Sequence, residues 1–172
     1  MRAAIITIST SVAAGRADDR SGAALAERTS AAGVEVTARE VVSDDRIQIE
    51  QVLRRHSSPD AATPLIFTTG GTGLTPDDVT PEATRAVIDR EAPGFAEAMR
   101  AESLKHTPMG ILTRGVAGIA GQTLIVNFPG NPKAIDELFG VIAPTLEHAV
   151  ATLRGERTGH GASHRKHPGA DG

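Results

Sequence analysis

The sequence predicts an α/β domain in which a parallel sheet carries helices on both faces. Three observations lead there. Short apolar runs rich in β-branched residues recur along the chain, such as AAIITI, PLIF and TLIV, and most read as strands buried on both faces. Segments with helical spacing separate them, as parallel crossovers require. Glycine- and proline-rich loops follow the apolar runs rather than interrupt them.

Residues 3–8 (AAIITI) form the first predicted strand. The polar stretch 9–20 reads as a loop. Residues 21–32 (SGAALAERTSAA) have apolar residues at helical spacing, with Gly33 as the stop just past the end. Residues 34–42 (VEVTAREVV) alternate as a strand. Asp44 or Asp45 then caps a helix over 46–56, in which Ile47, Ile49, Val52 and Leu53 are available to the core. A loop over 57–63 leads to a buried strand at 64–68 (PLIFT). After a glycine loop, Thr80 reads as a capping residue and Pro81 as the first helical position. Residues 94–105 are predicted helical. Residues 109–120 fit neither period, because glycines interrupt both. Residues 123–128 (TLIVNF) are another central strand. Asn131 and Pro132 repeat the cap-and-proline device for a helix to about residue 140, and Pro144 begins a last helix to about 153. The expected organisation is one domain, 1–154, and a disordered polar tail, 155–172.

At 172 residues the chain is long enough to bury a core without staples. It has no cysteine, which excludes disulfides, thiolate metal sites and cysteine nucleophiles. With no Trp, no Tyr and four Phe, it lacks the aromatics of a base-stacking platform. A net charge of −3 gives no basic field for a phosphate polymer or an anionic membrane. No apolar run approaches the ~18 residues of a membrane span. The opening strand has no signal-peptide pattern, so a cytoplasmic location is expected.

Ligands of open parallel sheets bind beyond the carboxyl ends of the strands. Loops 9–22, 42–45, 68–81 and 127–133 leave such ends. The third is the most informative. Gly70, Gly71 and Gly73 permit positive φ and close approach of a ligand, successive amides there are able to form an anion nest, and Thr72 adds a hydroxyl. Neither GxxxxGK[ST] nor GxGxxG is present. Asp77 and Asp78 follow. Carboxylates beside a phosphate loop call for a cation, and Mg²⁺ bridging one or two carboxylates and substrate phosphates is the usual arrangement. Asp78 is the stronger ligand candidate, and Asp77 reads as a solvated turn residue. One of Asp44 and Asp45 serves as the helix cap, leaving the other for metal or proton work. PGNPK (129–133) reads as helix entry and as an anion site at a helix N-terminus. Lys133, a cation in a first helical turn, hints at a ligand. Lys105 and Arg114 are able to clamp phosphate, though each is also an ordinary surface cation. His160, His164 and His167 have metal-binding spacing but lie in the predicted tail. There is no GxSxG elbow, and His56, His106 and His148 lie in no triad motif.

GGTGLTPDDVTPEAT (70–84), DREAPGFAEAMRAESLKHTP (89–108), LTRGVAGI (112–119) and NFPGNPKA (127–134) resemble the molybdopterin adenylyltransferases of molybdenum cofactor biosynthesis, the MogA/MoaB type. The SxS…DRSG opening (9–22) and Ser43-Asp44-Asp45 fit as well. The similarity runs from about residue 5 to 153. It implies a three-layer α/β/α domain with a mostly parallel sheet, commonly a homotrimer, that binds molybdopterin and ATP with Mg²⁺. It implies transfer of AMP to the terminal phosphate of the pterin with release of pyrophosphate, and use of the product by a molybdate-insertion protein. The resemblance places the catalytic and metal-binding carboxylates at Asp44 and Asp78. It places substrate binding at Ser9, Ser11, Asp19, Gly70, Gly71, Thr72, Gly73, Thr80, Ser103, Lys105, Thr113, Pro129, Gly130, Asn131 and Pro132. Three positions depart from the pattern. Asp77 stands where the family commonly has Arg, a change of two charge units that strengthens metal binding or raises the pKa of its neighbour. Ser43 replaces Pro, and Thr113 replaces Ser but keeps the hydroxyl. Two rivals remain: a non-catalytic molybdopterin carrier, and a nucleotide pyrophosphatase of the competence-damage type.

Overall fold

The structure, a computed structural model, describes residues 1–61 and 63–156. Four strands run parallel: β1 (Arg2–Ile8), β2 (Glu35–Val42), β3 (Leu65–Thr69) and β6 (Thr123–Phe128). β5 (Ala117–Ala120) pairs antiparallel with β6, and the two-residue β4 (Arg90–Glu91) antiparallel with β5. The sheet order is β2-β1-β3-β6-β5-β4. The expected mostly parallel sheet is therefore present, with an antiparallel extension on one side.

Alternation along the central strands divides the interior into two cores. Ala3 and Ile5, Leu65 and Phe67, and Leu124, Val126 and Phe128 face one side. They pack on α2 (Arg20–Ala31), α5 (Pro93–His106), α6 (Pro132–Ile142) and α7 (Leu146–Leu153). Ala4, Ile6 and Ile8, Ile66, and Ile125 face the other side, against α3 (Arg46–Ser57) and α4 (Thr80–Arg85). Helices on both faces follow from central strands that are buried at nearly every position. In the first core Phe67, Phe128 and Phe139 form a triad with ring centroids 5.7–5.9 Å apart. Two pairs are edge-on and one is stacked, the arrangements an aromatic quadrupole favours.

The boundaries show where local signals were overridden. Residues 9–20, expected as loop, contain the single-turn helix α1 (Thr10–Ala13), capped by Ser9. β2 holds a bulge: Ala3 pairs with Val36, but Ala4 pairs with Ala38. The extra residue moves Ala38 and Val42 to the second core while Val36 stays with the first, a switch that plain alternation does not forecast. In α3 Ile49, Val52 and Leu53 are buried, but Ile47 is 66% exposed; the expectation that it is a core residue is corrected. Residues 109–120 resolve into a 3-10 turn, Pro108–Leu112, and β5, which a tight turn at Gly121 (φ 58°) joins to β6. Pro144 lies in a 3-10 turn, Ala143–Thr145, ahead of α7. Gly155 (φ 71°) and Glu156 close the end of α7 through hydrogen bonds to Thr152 and Ala151. Residues 157–172 of the predicted tail, with the three spaced histidines, lie outside the described residues. Among the described residues no helix is long and apolar enough to cross a membrane.

Candidate active site

All four parallel strands end at one edge of the sheet. The chain passes from β1 outward to β2 and then returns past β1 to β3, so strand order reverses between β1 and β3. The crevice beyond such a reversal is where open α/β sheets bind ligands.

Glycines line it because nothing larger fits. Gly70 leaves β3 at φ 97° and Gly71 follows at φ 62°. A Cβ on Gly70 would lie 2.3 Å from the Ile8 carbonyl oxygen, and one on Gly71 2.4 Å from Thr80 Oγ1. A Cβ on Gly130 would lie 3.3 Å from Gly70 Cα. Gly70 N donates to Phe128 O at 3.2 Å, and Thr69 Oγ1 donates to Pro129 O at 2.8 Å. The ends of β1, β3 and β6 thus meet backbone to backbone; the positive φ expected of the loop is present at Gly70 and Gly71, whereas their close contact with Ile8 and Gly130 is a feature of the fold. Beneath them Asn127 bridges buried hydroxyls, its Nδ2 donating to Thr68 Oγ1 at 2.9 Å and Thr84 Oγ1 at 3.0 Å.

Thr80 corrects an expectation. It is the first residue of α4 rather than its cap, and the capping position, Val79, makes no side-chain bond. Thr80 Oγ1 instead donates to Gly70 O at 2.9 Å, and Thr80 N to Gly71 O at 3.1 Å. The half-buried glycine carbonyls are stronger claimants on that hydroxyl than the helix end is, since an acceptor left unpaired away from water is costly.

Asp78 bends back over the loop. Its Oδ2 accepts from Thr75 N at 2.9 Å and Thr75 Oγ1 at 2.7 Å, and a Cβ on Gly73 would lie 2.8 Å from that oxygen. Partial burial pushes the carboxyl up, but bonds from the Thr75 hydroxyl and the Thr75 and Gly73 amides, with the Arg114 charge, outweigh it; the net pKa lies below the ordinary carboxylate value. The expectation that Asp77 raises its neighbour does not hold. Asp77 itself is exposed and makes no hydrogen bond or ion pair among the described residues.

Arg114 is not free to clamp a ligand. Its Nε donates to Gly73 O at 2.8 Å, its Nη2 to Asp78 O, and its Nη1 and Nη2 to the Glu82 carboxylate. Its amide donates to Thr72 O at 2.8 Å. The guanidinium holds Glu82 below the ordinary glutamate value.

The structure separates Asp44 from Asp45. Asp45 caps α3, accepting from Gln48 N at 2.9 Å. Asp44 Oδ2 accepts from Thr10 N at 2.7 Å and Thr10 Oγ1 at 2.8 Å, joining the loops after β1 and β2. Its other oxygen has no donor among the described residues. Ser9 caps α1 and lies 3.1 Å, hydroxyl to hydroxyl, from Ser11. Asp19 caps α2 through Gly22 N at 2.9 Å and accepts from Thr7 Oγ1 at 3.1 Å. Asn131 caps α6, accepting from Lys133 N at 3.0 Å, with Pro132 in the first turn. Thr113 borders a small gap with Pro129, Arg100 and Gly115. Ser103 is buried under Gly110. Lys105 pairs with Glu102 at 2.7 Å, and Lys133 lies 3.9 Å from Glu137. Thr10, Thr75 and Glu82, which position the expected residues, were missed. Only the T-x-x-D spacing of Thr75 and Asp78 carried a signal, that of a local side-chain turn.

Among the described residues no three His, Asp or Glu side chains gather into a metal cluster. The donor set fits a hard cation that takes one or two carboxylates and fills its remaining positions with phosphate oxygens and water. The larger concavity is elsewhere: a cavity of about 770 Å³, lined by residues such as Thr63, Pro64 and Thr123, opens at the opposite edge of the sheet.

These features place a glycine-rich loop and the carboxylates Asp44 and Asp78 on the carboxyl edge of an open α/β sheet, beside its switch point, where such domains bind small molecules. The family model described as a probable molybdopterin binding domain matches residues 4–148, and the chain belongs to that family. The chain is 46% identical over 110 residues to the molybdenum cofactor synthesis protein cinnamon of Drosophila melanogaster, covering 64% of this chain but 18% of that protein. It is 41% identical over 140 residues to the molybdopterin adenylyltransferase of Escherichia coli K12, covering 80% of this chain and 71% of that one. The crystal structure of the molybdopterin biosynthesis enzyme MoaB from Thermus thermophilus superposes with a TM-score of 0.83 at 44% identity, covering 90% of this chain and 96% of that one. The chain thus spans under a fifth of cinnamon and most of the length of the two bacterial proteins.

Proposed function

We propose that the crevice binds molybdopterin and ATP and transfers AMP to the terminal phosphate of the pterin. One observation carries the reading: the loop glycines and Asp78 lie at the switch point of a chain similar to named molybdopterin adenylyltransferases. In the reaction a pterin phosphate oxygen attacks the α-phosphorus of ATP. A new P–O bond forms, the bond to the β-phosphate oxygen breaks, and pyrophosphate leaves with the electron pair. The attacking oxygen is already ionised, so the chain needs to supply placement rather than a strong base.

The tight turn at Gly70 and Gly71, both at positive φ, shapes the loop whose remaining amides would face phosphate. Asp78, with Asp44 across the end of β1, would hold Mg²⁺; that ion would neutralise charge between two polyanions. β2 and β3 flank β1, so their loops start about 10 Å apart, a span suited to a phosphate chain. Ser9, Ser11, Thr72, Ser103, Lys105 and Thr113 supply the remaining polar contacts. The resemblance extends the reading to a cytoplasmic homotrimer that passes its product to a molybdate-insertion protein.

The test is incubation with molybdopterin, Mg²⁺ and α-labelled ATP. Label in the pterin with equimolar pyrophosphate is the expected result. Pterin binding without pyrophosphate would make the chain a carrier, and dinucleotide hydrolysis without pterin would make it a pyrophosphatase.

A further inference from the structure

We infer that Arg114 and Glu82 form a clamp that sets the shape of the glycine loop and the aim of Asp78. They are positioning residues for the proposed reaction and not contacts to phosphate. The inference rests on the functional reading above but draws on different atoms.

A guanidinium has five N–H donors in a rigid fork. Arg114 directs them at three acceptors, two on the loop and one on the helix after it: Gly73 O at 2.8 Å, Asp78 O, and the Glu82 carboxylate, with the longer Glu82 bond at 3.3 Å. The two loop carbonyls bracket the turn in which Thr75 holds Asp78. Glu82 is in α4, the helix whose first residue, Thr80, is tied to Gly70 O. The fork therefore ties both ends of the turn to the helix that follows it. Each end of the turn is fixed by a bond that the Asp78 side chain does not make. Without the fork, two carbonyls in a partly closed crevice lose their donors, and Thr75 with Asp78 is free to swing as a unit.

A cation engaged in this way is a poor phosphate ligand, since its positive charge already faces a carboxylate. The same geometry predicts that Lys is no substitute. An ammonium carries the charge but does not reach three divergent acceptors in one plane. The main-chain bond from Arg114 N to Thr72 O survives any side-chain change, so the strand entry stays anchored in the variants.

The experiment compares wild type with Arg114→Ala, Arg114→Lys, Glu82→Gln and the Arg114→Ala/Glu82→Gln pair, with Arg85→Ala as a control on the same helix. Two readouts are taken: amide hydrogen exchange over residues 72–80, which needs no substrate, and kcat with KM for molybdopterin. Arg114→Ala and Glu82→Gln should each speed exchange in that segment by about tenfold, as loss of local protection does. Both should lower kcat by about 100-fold, the cost of misplacing a group by about 1 Å, with KM within about threefold. The pair should be no worse than Arg114→Ala alone, because the two side chains act as one device. Recovery of most activity by Arg114→Lys, a faster Glu82→Gln enzyme, or unchanged exchange would overturn the clamp. A wild type that releases no pyrophosphate would overturn the functional reading instead, and the exchange comparison would still decide the clamp.

Discussion

Thr75, two donors wide, decides the state of Asp78. Its hydroxyl and amide both bond Oδ2, and replacing the hydroxyl leaves only the backbone amides as donors. Thr75→Ala should raise the Asp78 pKa toward the ordinary carboxylate range, observable by carbon NMR titration of the labelled side chain. Glu82 gives the cleaner stability prediction. Its folded pKa is lowered chiefly by the bond from Arg114. The unfolded chain takes up that proton near the ordinary value of 4.5, whereas the folded chain stays ionised. The stabilisation is therefore complete above that value and is lost as pH falls through the lower folded value. Glu82→Gln should flatten the fall of melting temperature between neutral and acidic pH; an unchanged acid limb would contradict it. Gly70 has little freedom, since it combines positive φ with a backbone atom against its α-carbon. Gly70→Ala would set a methyl against the Ile8 carbonyl at positive φ, and should cost about 1–3 kcal/mol or more in urea unfolding.

Element by element, strands and long helices are legible because each local rule agrees with the packing. The cap and proline of α6 are where Asn131-Pro132 predicts them. Asp78 stands out in the sequence as a carboxylate beside a glycine loop, but its turn with Thr75 is equally a local device. Where two demands meet on one residue, the sequence does not show which prevails. Thr80 reads as a cap and serves the glycine carbonyls. Arg114 reads as a ligand for phosphate and binds the loop. The β2 bulge is invisible because it depends on how β1 pairs, and not on the residues of β2. Helix α6 supplies a simple check on this scale. Gly140 lies inside it, exposed, with open space around a built Cβ. Gly140→Ala should add about 0.5–1 kcal/mol of stability by restricting the unfolded chain, and a loss in denaturant midpoint would show that space there is needed.

For the whole molecule, the two cores hold the site edge still. The Phe67–Phe128–Phe139 triad fills the first core directly below the strands that carry Gly70 and Pro129. The topology explains why residues far apart in the chain share a crevice: parallel strands deliver every connecting loop to one edge, and the reversal between β1 and β3 opens a gap there. The sequence alone suggests the convergence, whereas the backbone contact of Gly70 with Ile8 and Gly130 needs the fold.

The most direct measurement is Asp78→Asn, assayed for molybdopterin affinity and for ATP-dependent pyrophosphate release in the same preparation. The account predicts affinity within about threefold of wild type and release lowered by about 100-fold or more, since an interaction made chiefly in the transition state changes turnover and not binding. Equal losses in both, or full release by the variant, would contradict it.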